Sequence, residues 1–177
     1  PTMYHRLLDV DAQVKLSSMR VFTCGSAPLS PETFRRFQER FGFTIVERYG
    51  LTETAINTSN PLHGPCKPGS VGPALPGVDV GIFDPSTQQR LAAGQTGEVW
   101  VRGPNVFSGY WNNPEATTTT FHQDWFRTGD LGTVDSDGYV AIRGRIKELI
   151  IVGGTNVTPG EVEAVLEQAD GDGRRHV

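Results

Sequence analysis

Arg48-Tyr49-Gly50-Leu51-Thr52-Glu53-Thr54 follows an apolar run over residues 44–49 that reads as a strand, and the residues before it decide the fold class. Residues 19–24 form another short apolar run closing on Gly25, the pattern of a buried strand. Between the two, Ser30 is a credible helix N-cap and Pro31 suits the first helical position. Phe34, Phe37 and Phe41 recur at helical spacing, and Gly42 is placed to terminate the helix. Strand, helix and strand in this order predict a parallel pair joined by a right-handed crossover, and so an α/β protein.

Downstream the character changes. Residues 61–76 are rich in Gly and Pro and read as loop. Residues 78–83, 97–102 and 138–142 read as strands separated by Asp-Pro, Gly-Gln and Asp-Gly turn signals, which predicts a smaller β-rich subdomain. Asn113-Pro114-Glu115 opens a short helix weakened by four threonines, Thr117 to Thr120. Thr158-Pro159-Gly160-Glu161 is a capping box, with Val162, Val165 and Leu166 on one face of the helix that follows. Trp100 and Trp111 are expected in the core.

Composition excludes several classes. Of the 177 residues, 37% are apolar and 20% charged, a globular balance rather than a disordered one. No apolar run approaches the roughly 20 residues a bilayer helix needs. The net charge of −4 is spread out and gives no basic stripe for nucleic acid. Cys24 and Cys66 have no metal spacing and are expected as small buried hydrophobes in a reducing cytoplasm. Pro1 is not an initiator, residues 161–168 read as a helix, and residues 169–177 lose any core-facing period. The chain therefore reads as a piece of a longer protein.

Two later segments answer the opening heptapeptide: Trp125-Phe126-Arg127-Thr128-Gly129-Asp130-Leu131, and Gly144-Arg145-Ile146-Lys147-Glu148 running on to Gly153-Gly154. In this order they resemble the core motifs of the adenylate-forming enzymes, which include acyl-CoA synthetases, luciferases and peptide-synthetase adenylation domains. Within that family the chain most resembles malonyl-CoA synthetases, through residues 47–54, Asn57-Thr58-Ser59-Asn60-Pro61, residues 68–77 and residues 103–111. The resemblance covers nearly all of residues 1–168. It implies a strand–helix–strand piece and β-rich subdomain of a large N-terminal domain over residues 1–146, then the hinge and start of a small C-terminal domain over 147–177.

The family's chemistry joins two anions, a carboxylate and the α-phosphate of ATP, so it needs Mg²⁺, cations and precise positioning. The resemblance implies that Tyr49 and Gly50 border adenine, Thr52 contacts phosphate and Glu53 holds Mg²⁺, a hard ion suited to carboxylate. It implies that Gly25, Ser26 and Ala27 line the nucleotide and acid sites, with Gly25 and Leu51 against the acid. Asp130 would take the ribose hydroxyls and Arg145 the ribose and phosphates. Lys147 would be the hinge, and Gly153 and Gly154 would let the pantetheine arm of CoA pass. Taken singly, each has a bland reading: Tyr49 a strand-end aromatic, Glu53 a solvated charge, Asp130 and Arg145 a surface ion pair, Gly153-Gly154 a β-turn. Three motifs in family order are what favour the functional reading.

The resemblance implies an acid–CoA ligase using ATP, Mg²⁺ and CoA, with malonate as the expected acid. A ligase for another acid, an adenylation domain serving a carrier thiol, and a non-catalytic nucleotide-binding module remain open. The family's phosphate loop and terminal catalytic lysine match nothing in residues 1–177, so this chain alone is expected to be inactive.

Overall fold

The computed structural model describes residues 1–11, 16–153 and 155–169. The first layer holds α1 (Thr2–Asp9), β1 (Phe22–Cys24), α2 (Pro31–Phe41), β2 (Ile45–Leu51) and β3 (Ala55–Ser59). Helix α2 has the expected boundaries. Ser30 Oγ accepts from the Thr33 N–H, and Gly42 takes a left-handed conformation with its N–H donating to the Gln38 carbonyl. β1 and β2 pair in parallel, with Phe22 opposite Ile45 and Cys24 opposite Glu47. β3 then turns back antiparallel on β2, so the sheet order is β1-β2-β3.

The phenylalanine stripe of α2 explains why this layer holds together. Phe34, Phe37, Phe22, Cys24, Leu29, Ile45 and Tyr4 form one buried cluster. Tyr4 and Phe22 each meet the Phe37 ring edge-on, at 5.1 and 5.0 Å between centroids, the arrangement aromatic quadrupoles favour. The helix α1 was not legible in the sequence. It joins the cluster through buried Tyr4, with Leu7 packed against it, and Arg40 of α2 donates to the carbonyls of Leu8 and Val10.

The second layer is the expected β-rich subdomain. It contains β4 (Asp79–Phe83), β5 (Gly97–Arg102), α3 (Pro114–Thr120), β6 (Phe121–His122), β7 (Trp125–Val134) and β8 (Val140–Arg145). The order is β4-β5-β7-β6, with β8 also on β7. β5 is buried on both faces, and Trp100 stacks on Phe83 at 4.1 Å. Strand β8 begins and ends later than the sequence suggested. The whole of β7, which carries the Thr128-Gly129-Asp130 motif, was not anticipated as a strand. The threonines of α3 persist in a helix because Thr117, Thr118 and Thr119 return their hydroxyls to the carbonyls of Asn113, Pro114 and Glu115, a local satisfaction open to Ser and Thr.

The Gly/Pro-rich stretch carries no regular element, as expected, but polar side chains lace it between the layers. Asn60 Nδ2 donates to the carbonyls of Glu47 and Ser70. Thr58 Oγ1 donates to the Val71 carbonyl and Ser70 Oγ to the Val140 carbonyl. These side chains are almost wholly buried, so each bond satisfies a group that would otherwise be costly to desolvate.

One expectation about packing is corrected. Trp100 is fully buried, but Trp111 is 91% exposed. It lies in the turn leading into α3, beyond the last strand that could cover it.

After β8 come a short 3₁₀ turn (Ile146–Glu148), the hairpin β9 (Ile150–Val152) and β10 (Thr155–Val157), and α4 (Pro159–Ala169). One half of the expected capping box forms, with the Thr158 N–H donating to Glu161 Oε2 at 2.8 Å, while the Glu161 N–H donates to the Thr158 carbonyl rather than to its hydroxyl. Thr158 is buried beside Gly144 of β8, whereas Val162, Val165 and Leu166 are exposed. The irregular tail was expected from Ala169, which the structure keeps in α4; residues 170–177 lie outside the described residues. Among the described residues no helix is long and apolar enough to cross a membrane.

Glu47 is a buried carboxylate whose environment penalises its charge. It is 5% exposed and its Oε1 has no partner. Burial pushes its pKa from 4.5 up to about 7, with a Gly69 backbone N–H drawing it part of the way back. Because the folded pKa is raised, the folded state holds a proton that the unfolded chain has released. Stability is therefore fully present below about pH 4.5 and falls as pH rises towards 7, by roughly 2–3 kcal/mol in all. Urea unfolding at pH 5 and pH 8 should show that loss, and Glu47→Gln should remove most of it. An unchanged pH slope in Glu47→Gln would contradict the assignment.

Candidate nucleotide-binding site

The heptapeptide straddles the β2–β3 hairpin: Tyr49, Gly50 and Leu51 end β2, and Thr52-Glu53-Thr54 make the turn. Register shifts between Tyr49 and Gly50, and the two strands close tightly there. A Cβ on Gly50 would lie 1.8 Å from the Ala55 carbonyl oxygen. A glycine at this point is therefore required by the backbone itself, a reason the sequence reading did not supply. Thr52 is exposed and Glu53 partly so, whereas Thr54 is buried.

Asp130 reaches the same place from the other layer. The register of β7 against β8 sets Asp130 opposite Arg145, after a bulge between Leu131 and Gly132. Arg145 Nε forms an ion pair with Asp130 Oδ1 at 3.0 Å, and the Tyr49 phenol donates a hydrogen bond to Asp130 Oδ2 at 2.6 Å. One residue from each of the three motifs thus meets at one carboxylate. The Asp130 side chain is 5% exposed and that of Arg145 54%, so the carboxylate is sunk while the guanidinium opens to water. Burial raises the Asp130 pKa, and the Tyr49 bond and the Arg145 charge pull it back. The Tyr49 phenol is also shifted upward, by burial first and then by the Asp130 charge. It stays a neutral donor at any ordinary pH.

Asp130 is held from behind by Glu98, which the sequence reading did not place in the site, and by Arg127, Thr128 and Gly129 of its own motif. Glu98 is buried within β5. Its carboxylate accepts from Arg127 at 3.1 Å and from the Gly129 N–H at 3.2 Å. Thr128 Oγ1 donates to the Val99 carbonyl and accepts from the Asp130 N–H. The available signal was a charged residue inside the apolar strand Gly97-Glu98-Val99-Trp100-Val101, which called for a buried partner.

Other expected site residues fall at varying distances from this centre. The Gly25-Ser26-Ala27 loop lies beside the end of β2: a Cβ on Gly25 would be 3.2 Å from the Arg48 carbonyl oxygen. Ser26 adopts a left-handed φ of 68°. Lys147 is exposed in the 3₁₀ turn just past Arg145. Gly153 is exposed at the β9–β10 turn and is not brought to the Asp130 cluster. Gly154 lies outside the described residues.

Among the described residues no three His, Cys, Asp or Glu side chains converge as a metal site. Glu53 stands as a single carboxylate, which fits Mg²⁺ held mainly by phosphates and water with one or two protein oxygens. The Asp130 carboxylate fits a sugar diol, since Oδ2 spends one lone pair on the Tyr49 phenol and both oxygens retain acceptor capacity. The chain can thus offer one buried acceptor, one half-open cation and one hard ligand along a single edge.

Comparison with known proteins bears on this arrangement. Residues 1–111 match the family described as AMP-binding enzyme. Over 172 residues the chain is 43% identical to an oxalate–CoA ligase of Arabidopsis thaliana, covering 94% of this chain and 33% of that protein. It is 39% identical over 169 residues to a long-chain-fatty-acid–CoA ligase of Bacillus subtilis, covering 94% and 30%. Among solved structures, ATP-bound MatB from Rhodopseudomonas palustris superposes with a TM-score of 0.89 at 50% identity, covering 93% of this chain and 33% of that one. The chain thus spans about a third of the length of these relatives. With its motifs, its two-layer fold and these likenesses in agreement, the chain belongs to the AMP-binding enzyme family, the adenylate-forming enzymes.

Proposed function

We propose that this chain forms the nucleotide-facing part of an AMP-forming acid–CoA ligase that activates a short carboxylic acid, malonate in our reading. The observation that carries the proposal is the meeting of Tyr49, Asp130 and Arg145 at one buried carboxylate, at 2.6 and 3.0 Å. In this reading Asp130 accepts the ribose hydroxyls of ATP and Arg145 faces ribose and phosphate. Tyr49 and the Gly25-Ser26-Ala27 loop flank adenine, and Thr52 donates to phosphate. Glu53 supplies a protein oxygen to Mg²⁺, which neutralises phosphate charge when bound.

The acid's carboxylate oxygen attacks the α-phosphorus and pyrophosphate leaves. The CoA sulfur then attacks the acyl carbonyl and AMP leaves. For the second step we assign the hinge to Lys147, at a boundary between residues 1–146 and 147–177, and passage of the pantetheine arm to Gly153 and Gly154. The two free cysteines suit a reducing compartment such as the cytoplasm.

Malonate is supported by the sequence resemblance and by the dicarboxylate in the name of the Arabidopsis relative. A protein of the relatives' length carrying this chain should show pyrophosphate exchange and CoA-dependent AMP release with malonate. Its kcat/KM should exceed those for oxalate and for a long-chain fatty acid by at least about tenfold, the effect of one well-placed polar contact. A preference for the fatty acid would refute malonate while leaving adenylation intact. Exchange with none of the acids tested would refute the enzymatic reading.

A further inference from the structure

The segment from Gly103 to Trp111 does more than pack the β-rich layer, because it ties the Glu53 turn at both backbone and side chain. The Phe107 N–H donates to the Glu53 carbonyl at 2.8 Å. Asn105 Nδ2 donates to the Thr54 carbonyl at 2.7 Å and to Asn57 Oδ1 at 3.0 Å. The Tyr110 phenol donates to Glu53 Oε1 at 2.9 Å. Three residues of one segment thus grip one turn of the other layer.

Tyr110 is itself held. Its N–H donates to Thr117 Oγ1 of α3 at 2.9 Å, and its ring meets Phe107 edge-on at 4.8 Å. Phe107 packs in turn against Phe121 and Phe126. Gly109 permits the approach, since its φ is 150° and a Cβ there would lie 2.7 Å from Thr117 Cγ2. Among the described residues, the Tyr110 phenol is the only side chain bonded to the Glu53 carboxylate, which leaves Oε2 without a protein partner. A carboxylate on a turn would otherwise sample several rotamers, and ordering it on metal binding would carry an entropic cost.

We propose that Tyr110 is a positioning residue for the metal-binding carboxylate: its O–H holds Glu53 Oε1 and so presents Oε2 to the Mg²⁺ of the bound nucleotide. This rests on the reading of Glu53 as a Mg²⁺ ligand. Tyr110 touches neither metal nor substrate and acts through Glu53.

The test uses Tyr110→Phe, Glu53→Gln and the double variant in a protein of the relatives' length. Mn²⁺ affinity in the presence of ATP is measured by electron paramagnetic resonance. Tyr110→Phe should weaken Mn²⁺ binding about three- to tenfold, the loss expected for one ordinary hydrogen bond, since water screens this exposed contact. In the Glu53→Gln background it should cause no further weakening, because the pair acts as a unit. If Glu53→Gln leaves Mn²⁺ affinity unchanged, the metal reading falls and this proposal with it. If Glu53→Gln weakens binding but Tyr110→Phe does not, or does so equally in both backgrounds, the positioning role alone is overturned.

Discussion

Gly50→Ala should disable the candidate site and much of the local fold together. A methyl at this position would sit 1.8 Å from the Ala55 carbonyl oxygen and 2.8 Å from its carbon. Neither atom belongs to a flexible side chain, so the β2–β3 hairpin must open to admit it. Overpacking against a movable side chain costs about 1–3 kcal/mol, and a fixed backbone should place this variant at or above the upper end. Opening the hairpin also shifts Tyr49 and Glu53 on either side, so nucleotide binding should fall with stability. Gly42→Ala is the matched control: its φ is 73° but nothing lies within 4 Å of the added methyl, so only the left-handed conformation is penalised, by about 1–2 kcal/mol. Urea unfolding followed by tryptophan fluorescence separates the two. Equal losses in both variants would show that the close approach at Gly50 does not govern the hairpin.

Asp130→Asn should give the second large effect, this time on nucleotide use. The substitution preserves size but removes the charge that Arg145 and Tyr49 both address. It also turns one acceptor into a donor facing the donors of Arg145 or Tyr49. A hydrogen bond to a charged group is worth about 1.5–3 kcal/mol. Arg145 is half in water, which places its share at the low end. If Asp130 also receives the ribose hydroxyls, kcat/KM for ATP should fall by at least about a hundredfold. Asp137→Asn serves as the comparison. It lies in the turn between β7 and β8, with an exposed ion pair to Lys67, and should leave ATP use unchanged. Wild-type kinetics in Asp130→Asn would place the nucleotide elsewhere.

Some of this was legible without a structure because the causes are local. Ser30, Pro31 and Gly42 bound α2 through contacts spanning only a few residues, and Thr158 and Glu161 cap α4 the same way. The three motifs were legible for a different reason, since a family's signature survives as residue order. The strand β7 was not legible. Arg127, Thr128, Gly129 and Asp130 interrupt any period-2 pattern, and they are held in a strand only by neighbours on both sides, β5 and β8. Helix α1 escaped for want of a cap, as Pro1 offers no side-chain acceptor. Trp111 was expected in the core on hydrophobicity alone, but no element reaches far enough to cover it.

The amino-acid order by itself determined the α/β class, the boundaries of α2 and which residues could serve an adenylate-forming chemistry, because caps, periodicity and motifs are properties of neighbours along the chain. Tertiary structure alone decided that Tyr49, Asp130 and Arg145 share one carboxylate, that Glu98 braces it from behind and that Tyr110 grips Glu53. Those pairs are separated by 81, 31 and 57 residues at the widest. Their meeting depends on three register shifts, at Tyr49/Gly50, Glu98/Trp100 and Leu131/Gly132, and a one-residue slip in a register turns every side chain to the opposite face.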